Sequence, residues 1–300
     1  MPVHVVTHPI CLEHSAGPGH PERPDRLRAI FAALETPEWA ERIRWHEAQP
    51  AGRDALLLVH PESYLDYLAE VSRAGGGQLD PDTGMNDRSW EAAVLAAGGV
   101  IAAASLATET GEGAFAAIRP PGHHALADRA MGFCLLGNVV IAARQALSTP
   151  EVERVLIVDW DVHHGNGTQA LVETDPAIHF VSMHQWPHYP GTGDERERGT
   201  GNVWNVPRRA GLPPEEYVGD LLAAVESATE DWSPDLVLIS AGFDAMAGDP
   251  LAGFTLRPQD YTTITLFLQG LGAPMAAALE GGYSLENLAA GVPAMLEGML

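Results

Sequence analysis

One short stretch of the chain, LIVDWDVHHGNG at residues 156–167, places acidic and imidazole side chains directly after a run of apolar residues. Asp161 and His163 are two positions apart, so in extended backbone their side chains point the same way. Asp244 follows another apolar run and is the best candidate for a third ligand. Two carboxylates and one imidazole with an open fourth position are typical of a catalytic site for a divalent ion such as Zn²⁺ or Fe²⁺.

Further side chains that could do chemistry follow other apolar runs. His123 and His124, in RPPGHHA, are suited to general base and general acid roles. Tyr283, in the glycine-flanked EGGY, is suited to donate a hydrogen bond to a developing oxyanion. Asp249 and Glu280 also follow apolar runs. Because a metal ion polarises a carbonyl group and activates water, the whole set predicts metal-assisted hydrolysis of an amide.

Each of these signals has an ordinary alternative when it is taken alone. Paired histidines occur in structured turns, a lone tyrosine is usually packed and hydrogen-bonded, and Asp244 could cap a turn. An Asp-x-Asp pair after a strand also occurs in phosphatases whose first aspartate is the nucleophile, but such enzymes normally need a lysine. All seventeen basic residues here are arginine. The absence of lysine excludes Schiff-base, Walker-A and protein-kinase chemistry.

The elements that would position these groups alternate along the chain. Continuous apolar runs, typical of parallel strands covered on both faces, predict strands at 3–7, 114–118, 154–159, 178–183, 235–240 and 274–279. Predicted helices lie at 24–34, 63–73, 89–108, 137–148, 214–230, 258–270 and 284–298. The alternation predicts an α/β fold, a single three-layer domain over residues 1–300 with a mostly parallel central sheet. In such sheets ligands bind beyond the carboxyl ends of the strands, where the candidate groups fall.

The composition limits the class of protein. Forty acidic residues against seventeen basic ones give a formal net charge of −23, which argues against a nucleic acid partner and favours cationic substrates. A solvated acidic surface explains the charge equally well. No run of 18 or more apolar residues predicts a membrane span, and the N-terminus does not resemble a signal peptide. Cys11 and Cys134 are expected to be reduced thiols of a cytoplasmic protein.

Successive motifs between about residues 19 and 290 resemble those of the histone deacetylase superfamily. They read GHPERPDRLRAI, RPPGHHA, GFCLLGNVVIAA, VLIVDWDVHHGNGTQ, YPGTG, SAGFDAMAGDPLAGF and LEGGYSLENLA. The details are similar to the class II and bacterial amidohydrolase-like branch, which is related to the acetylpolyamine amidohydrolases. The resemblance implies the arginase–deacetylase fold and hydrolysis of N-acyl amide bonds with Zn²⁺, or Fe²⁺ as the alternative ion.

The resemblance also implies roles for individual residues. The zinc ligands correspond to Asp161, His163 and Asp244. The catalytic residues correspond to His124 as general base, His123 as its electrostatic partner, Asp159 as the group that orients His123, Asn166 as the partner of His124, and Tyr283 as the donor to the scissile carbonyl. A structural potassium ion is implied beside the zinc, held mostly by carbonyl oxygens of Asp159, Asp161, His163, Ser182 and Met183.

A tunnel for the substrate is implied in the same way. Its walls correspond to Gly132 and Phe133 on one side and to Tyr189 on the other. Leu251 stands where polyamine-selective relatives can carry a glutamate, so its apolar character favours acyl-lysine peptides. Arg23 corresponds to an arginine under the active site. Candidates for the residue at the rim that grips the substrate are Asp82, Asn86 and Asp87.

Several functional hypotheses follow from the sequence. The first is deacetylation of acyl-lysine side chains in peptides or proteins. An acetylpolyamine amidohydrolase would use the same residues and metal. From other classes, a non-catalytic acyl-lysine binding protein and a binuclear manganese enzyme of the arginase type are the alternatives, and the latter should carry more carboxylates. The sequence leaves open the physiological substrate, the acyl-chain preference, the native metal and the oligomeric state.

Overall fold

The computed structural model describes residues 1–300 and contains ten strands. In chain order they are β1 (Val3–Thr7), β2 (Ile43–Glu47), β3 (Gly76–Asp80), β4 (Thr83–Asn86), β5 (Ala114–Ala116), β6 (Val155–Asp159), β7 (Ile178–Gln185), β8 (Val203–Arg208), β9 (Leu236–Ala241) and β10 (Met275–Leu279). Eight of them form one parallel sheet in the order β2-β1-β5-β10-β9-β6-β7-β8, and β3 and β4 form a separate antiparallel hairpin.

Nine helices complete the fold. They are α1 (Asp25–Leu34), α2 (Arg53–Leu57), α3 (Glu62–Arg73), α4 (Ser89–Thr110), α5 (Asn138–Leu147), α6 (Asn166–Val172), α7 (Pro214–Thr229), α8 (Pro258–Gln269) and α9 (Leu285–Glu297). Helices α2 to α6 form one group of mutually contacting helices, and α1, α7, α8 and α9 form a second group. The sheet lies between these two layers, as expected for a largely parallel sheet that must be covered on both faces.

The predicted elements are present, each within two residues of its predicted ends. The six predicted strands have fully or largely buried residues, which explains their apolar sequences. The sequence missed β2 and β8, which lie at the two edges of the sheet. It also missed the glycine-containing hairpin and the short helices α2 and α6. The large sheet takes strands from residue 3 to residue 279, and the single domain over residues 1–300 stays a prediction.

One helix, α4, bears on the expectation that the chain has no membrane span. By length and composition, α4 is apolar enough to cross a membrane, although it contains no uninterrupted run of 18 apolar residues. Within the fold, 61% of its most apolar window is buried. The helix packs against β1, β5 and β10, so its apolar surface is used in the core of the protein.

The register of the central strands brings their carboxyl ends to one level. Asp159, the last residue of β6, pairs with Ser240 of β9 on one side and with Ser182 of β7 on the other. Leu279 of β10 pairs with Ala241 of β9. The loops that follow these strands therefore meet at the same edge of the sheet, and they carry the candidate functional residues.

Candidate active site

Three predicted metal ligands meet in a buried cluster at this edge. One ligand atom from each of Asp161, His163 and Asp244 lies within 4.8 Å of the other two. The Nδ1 atom of His163 is 3.0 Å from Oδ1 of Asp161 and 3.3 Å from Oδ2 of Asp244. Both carboxylates are completely buried. The sequence spacing and the fold thus bring together two carboxylates and one imidazole nitrogen that face a common point.

The donor set fits a divalent ion. Oδ1 of Asp244 accepts a hydrogen bond from the N–H of Val162 at 3.0 Å, but Oδ2 has no hydrogen-bond partner although it is buried. An unpaired buried carboxylate oxygen is costly unless a cation balances it. At Gly281 a Cβ would lie 2.1 Å from Oδ2 of Asp244 and 2.5 Å from Oδ2 of Asp161, so only glycine lets the backbone approach the two carboxylates.

The pKa values of Asp244 and His163 are both raised, which indicates that this cluster favours added positive charge. Burial and the neighbouring charge of Asp161 raise the pKa of Asp244 to about 7. Burial would lower the pKa of His163, but its hydrogen bond to Asp161 and the nearby negative charge of Asp244 outweigh burial and raise that pKa to about 10. In the absence of a metal, the cluster therefore retains protons that a bound cation would displace.

The backbone beside these ligands carries free carbonyl groups. The carbonyl oxygens of Asp161 and His163 accept no hydrogen bond from any backbone or side-chain donor. The other residues of the predicted potassium site, Asp159, Ser182 and Met183, lie at the adjoining ends of β6 and β7. Backbone carbonyl oxygens are the ligands that potassium takes in proteins, so this arrangement fits the predicted potassium site.

His123 and His124 stand next to the cluster with different partners. The Nδ1–H of His123 donates to Oδ2 of Asp159 at 3.0 Å, as expected from the sequence. The Nδ1–H of His124 donates to Oδ1 of Asn166 at 2.7 Å. The two rings lie 3.9 Å apart between centroids. Because the amide oxygen of Asn166 can only accept, this bond leaves Nε2 of His124 as the ring nitrogen with a free lone pair.

The pKa values of the two imidazoles are shifted in opposite directions. Burial lowers the pKa of His124 well below its ordinary value, and the neighbouring charges of His123 and His163 lower it further. Burial alone would lower the pKa of His123, but the charges of Asp161 and Asp159 raise it to about 10. His123 is therefore the charged member of the pair, and His124 is a neutral imidazole at neutral pH, which is the form that can accept a proton.

A narrow cavity of about 230 Å³ leads to these groups. Its volume is below the range of roughly 300–1,000 Å³ that is usual for ligand pockets, so it suits a slender group. The fold brings together here all four predicted tunnel residues, Tyr283, three histidines and Asp82. The lining consists of Asp82, His124, Gly132, Phe133, His163, His188, Tyr189, Leu251 and Tyr283.

One wall of the tunnel is held in an unusual backbone conformation. Gly132 and Phe133 have φ angles of 55° and 69°, and a Cβ at Gly132 would lie 2.3 Å from the ring of His124. The N–H of Phe133 donates to Oγ1 of Thr83 at 2.9 Å, and the N–H of Gly132 donates to Oδ1 of Asp82 at 3.2 Å. The turn between β3 and β4 therefore fixes this wall, a role for Thr83 that the sequence did not indicate.

The three rim candidates lie at different places relative to the tunnel. Of the three, only Asp82 lines the tunnel. Asn86 donates to the carbonyl of Glu13 and accepts from Ser89, so it fastens the start of α4 instead. The carbonyl of Asp87 accepts from Ser72. Asn86, the last residue of β4, and Asp87, which follows it, do not line the tunnel, so Asp82 is the rim candidate that the structure favours.

The arginine under the site is Arg26 rather than Arg23. Arg23 is half exposed and lies 3.5 Å from Asp25. Arg26 is fully buried, its Nε–H donates to the carbonyl of Gly282 at 2.7 Å, and its guanidinium lies 5.2 Å from the ring centroid of Tyr283. Ile30 follows Arg26 by one helical turn on the buried face of α1, so helical spacing was the signal that would have identified it.

The parallel sheet, covered by helices on both faces, collects acid–base side chains at the carboxyl ends of its strands, where such folds bind ligands. The histone deacetylase domain matches residues 20–299 of this chain. The chain superposes on the crystal structure of the HDA15 HD domain with a TM-score of 0.95 and 37% identity, covering 99% of this chain and 88% of that one. The chain therefore belongs to the histone deacetylase family, and the predicted arginase–deacetylase fold is confirmed.

Curated relatives agree on deacetylase chemistry. The "Histone deacetylase-like amidohydrolase" of Pseudomonas aeruginosa is 38% identical, over 92% of this chain and 80% of its own length. The "Polyamine deacetylase HDAC10" of Homo sapiens is 35% identical over 90% of this chain, which corresponds to 43% of the human protein. The family assignment supports a hydrolase that acts as a deacetylase. Of the two names, only that of the human protein states a substrate, a polyamine.

Proposed function

We propose that this protein is a zinc-dependent deacylase that removes the acyl group from acyl-lysine side chains in peptides or proteins. The observation that carries the proposal is the convergence of His124, His163 and Tyr283 on one narrow tunnel. The unpaired Oδ2 of Asp244 and the adjacent nitrogen of His163 support the proposal of a metal ion between them. A divalent ion held there by Asp161, His163 and Asp244 would polarise the scissile carbonyl group and lower the pKa of water.

The side chains of the protein divide the proton transfers between them. The neutral imidazole of His124 accepts the proton of the attacking water at Nε2, and Asn166 holds the ring so that this nitrogen is free. The same ring then gives the proton to the departing amine. His123, oriented by Asp159, remains next to it as a positive charge that favours a negative transition state.

Tyr283 supplies the hydrogen bond to the developing oxyanion. Its hydroxyl forms no hydrogen bond within the protein, and its ring packs edge-on against Phe133 at 5.8 Å. Burial raises the pKa of Tyr283 well above its ordinary value, so the hydroxyl stays protonated and can donate. The walls formed by Phe133 and Tyr189 exclude water from the bond that is cleaved.

Turnover of an acetyl-lysine peptide by the purified protein tests this function. We expect turnover that a chelator abolishes and that added Zn²⁺ restores. Tyr283→Phe should lower kcat by about 10²–10³-fold, the usual cost of one oxyanion donor. Tyr261→Phe is the matched control, because it removes a buried hydroxyl that has no hydrogen-bond partner. Full activity of Tyr283→Phe, or chelator-resistant turnover, would contradict the proposal. Parallel reconstitution with Fe²⁺ compares the two candidate ions.

An acetylpolyamine substrate is the second candidate. Asp82 is the only carboxylate among the residues that line the tunnel, and it would attract a cationic amine. Leu251 argues against this substrate. It stands where polyamine-selective relatives can carry a glutamate, and its apolar side chain offers no charge to a second ammonium group. A panel of acetyl-lysine peptide, acetylputrescine and acetylspermidine separates the two substrates. A higher kcat/KM for the polyamines would replace the peptide in the proposal and leave the mechanism unchanged.

A further inference from the structure

Asp249 lies in the loop after β9 and is 6% exposed, although it is neither a predicted metal ligand nor part of the tunnel lining. All hydrogen bonds that its carboxylate accepts come from backbone N–H groups. Oδ2 accepts from the N–H of Tyr283 at 2.8 Å and from the N–H of Ser284 at 3.2 Å. Oδ1 accepts from the N–H of Leu251 at 3.0 Å. One carboxylate therefore holds both the backbone of the oxyanion donor and the backbone of a tunnel wall.

Leu251 is also held from its other side. The Nε2–H of His188 donates to the carbonyl of Leu251 at 3.0 Å. The ring of His188 stacks on the ring of His163, with centroids 5.0 Å apart and planes 19° apart. Contacts thus run without interruption from the metal ligand His163 through His188, Leu251 and Asp249 to Tyr283. A displacement of the wall by substrate would be transmitted to the tyrosine through a buried, charged hydrogen-bond acceptor.

We propose that Asp249 is a positioning residue that fastens Leu251 and Tyr283 into one unit, so that the fit of the acyl chain sets the place of the tyrosine hydroxyl. Charged acceptors form stronger hydrogen bonds to backbone N–H groups than neutral ones do, and three such bonds leave little freedom to either loop. Catalysis is sensitive to small displacements of a donor, so a loosened Tyr283 lowers turnover even when the substrate still binds. This inference rests on the proposed deacylase function.

Asp249→Asn tests the inference, because it keeps the shape of the side chain and replaces one acceptor oxygen with an amide that cannot accept. In the protein loaded with Zn²⁺, we expect kcat for an acetyl-lysine peptide to fall at least about tenfold, with KM changed much less. We also expect weaker discrimination between acetyl and longer acyl groups. Ser284→Ala is the matched control: it removes the side-chain cap of α9, a hydrogen bond to the N–H of Asn287, and leaves the backbone bond to Asp249.

The decisive measurement is the same substitution in Tyr283→Phe. If Asp249 acts through the tyrosine hydroxyl, Asp249→Asn should change kcat by less than about twofold in that background, because the hydroxyl is already absent. An equal fall in both backgrounds would overturn the inference, and so would an equal fall in Ser284→Ala. Should Asp249→Asn fail to fold, Asp249→Ser gives the same comparison. Failure of the deacylase function would appear earlier, as no zinc-dependent turnover in the unsubstituted protein.

Discussion

Two buried clusters of carboxylates lie near each other in this fold, and their negative charge is balanced in different ways. In the arginine-matched cluster, the carboxylate of Glu22 accepts hydrogen bonds from Arg26 and Arg119. In the arginine-free cluster, the carboxylates contact histidine rings, hydroxyl groups and backbone N–H groups but no guanidinium. Its members are Asp159, Asp161, Asp244 and Glu280. The difference indicates that the fold supplies its own positive charge in one cluster and leaves it to a cation in the other.

Two glutamates show the contrast most directly, since both are essentially fully buried. Burial would raise the pKa of Glu22, but the charge of Arg119 and hydrogen bonds from His14 and Arg119 hold it well below its ordinary value. Burial raises the pKa of Glu280 to about 7, although His123 and the N–H of Gly122 oppose the rise. Glu22 therefore remains charged at neutral pH, whereas Glu280, which accepts from the N–H of His123, gains and loses a proton near neutral pH.

Arg119→Met, which breaks the arginine-matched cluster, should produce the largest loss of stability. The substitution leaves the buried charge of Glu22 with Arg26 as its only arginine partner, and breaking a buried ion pair costs about 3–5 kcal/mol. Urea unfolding of the chelator-treated protein measures this loss. Arg28→Met is the control, because Arg28 pairs with Asp25 on the surface, where an ion pair contributes about 0–1 kcal/mol. Equal losses for the two variants would contradict the comparison.

Asp244→Asn removes a carboxylate from the arginine-free cluster and, unlike Arg119→Met, should not destabilise the metal-free protein. In the chelator-treated protein we expect no loss of stability, because the substitution removes one of two adjacent buried carboxylates. Zn²⁺ should stabilise the unsubstituted protein by about 2.7 kcal/mol at one hundred times its dissociation constant, and this gain should be absent in the variant together with turnover. Thermal unfolding with and without Zn²⁺ measures both effects. A zinc-free Asp244→Asn protein that is several kcal/mol less stable would show that this carboxylate is structural.

The arginine-matched cluster also shows what the sequence could not reveal. Central strands were predictable because each is a continuous buried run, and the candidate ligands follow these strands directly. Edge strands such as β2 are half exposed and leave no apolar run. The contact between Arg119 and Glu22 joins residues that are 97 positions apart, so no local pattern records it. Within one helix a pattern does exist, and Arg26 could have been preferred to Arg23 by its spacing to buried Ile30.

The same distinction applies to the active site. Asp161, His163, His123 and His124 lie in contiguous motifs whose side chains must share the strand ends, so their meeting was predictable. Thr83 and Asp249 hold the backbone of distant residues, Phe133 and Tyr283. Asp249 was among the candidates that follow apolar runs, but no local pattern records either contact. Sequence motifs therefore identify the groups that do the chemistry, whereas the side chains that hold those groups in place become visible only in three dimensions.

Glu280→Gln tests the difference between Glu280 and Glu22 through the pH dependence of stability. The ordinary pKa of a glutamate is 4.5 and that of Glu280 in the fold is about 7, so between these values the folded protein keeps a proton that the unfolded chain has lost. Stability of the chelator-treated protein should fall as pH rises through this window, by at most about 1.4 kcal/mol per pH unit for this one group. In Glu280→Gln this contribution is absent, so the stability of the variant relative to the unsubstituted protein should increase as pH rises.

Glu22→Gln gives the opposite sign and serves as the control. Because the pKa of Glu22 is held below its ordinary value, its charge stabilises the fold above the pKa of the unfolded chain, and this stability is lost as pH falls. Glu22→Gln should therefore cost most stability at neutral pH. Urea midpoints at about pH 5 and about pH 8 compare the two variants. Parallel pH profiles would mean that the two glutamates do not differ in the way the structure indicates.

The smallest effect concerns a histidine whose partner is neutral. Asn166→Asp would place a carboxylate against Nδ1 of His124, where the structure has an amide oxygen at 2.7 Å. A neighbouring opposite charge favours the charged imidazole, so the pKa of His124 should rise by about 1–3 units from its lowered value. Since only the neutral ring accepts a proton, the acid limb of the pH profile of kcat/KM should move to higher pH.

The control for this variant adds a carboxylate to a different histidine. Gln169 accepts from Nε2 of His164, a ring that does not line the tunnel, so Gln169→Glu should leave the acid limb in place. An acid limb that stays unchanged in folded, zinc-loaded Asn166→Asp would mean that His124 is not the base. A limb that moves in both variants would mean that the whole arginine-free cluster responds to added charge, and that the neutral Asn166 has no selective effect on His124.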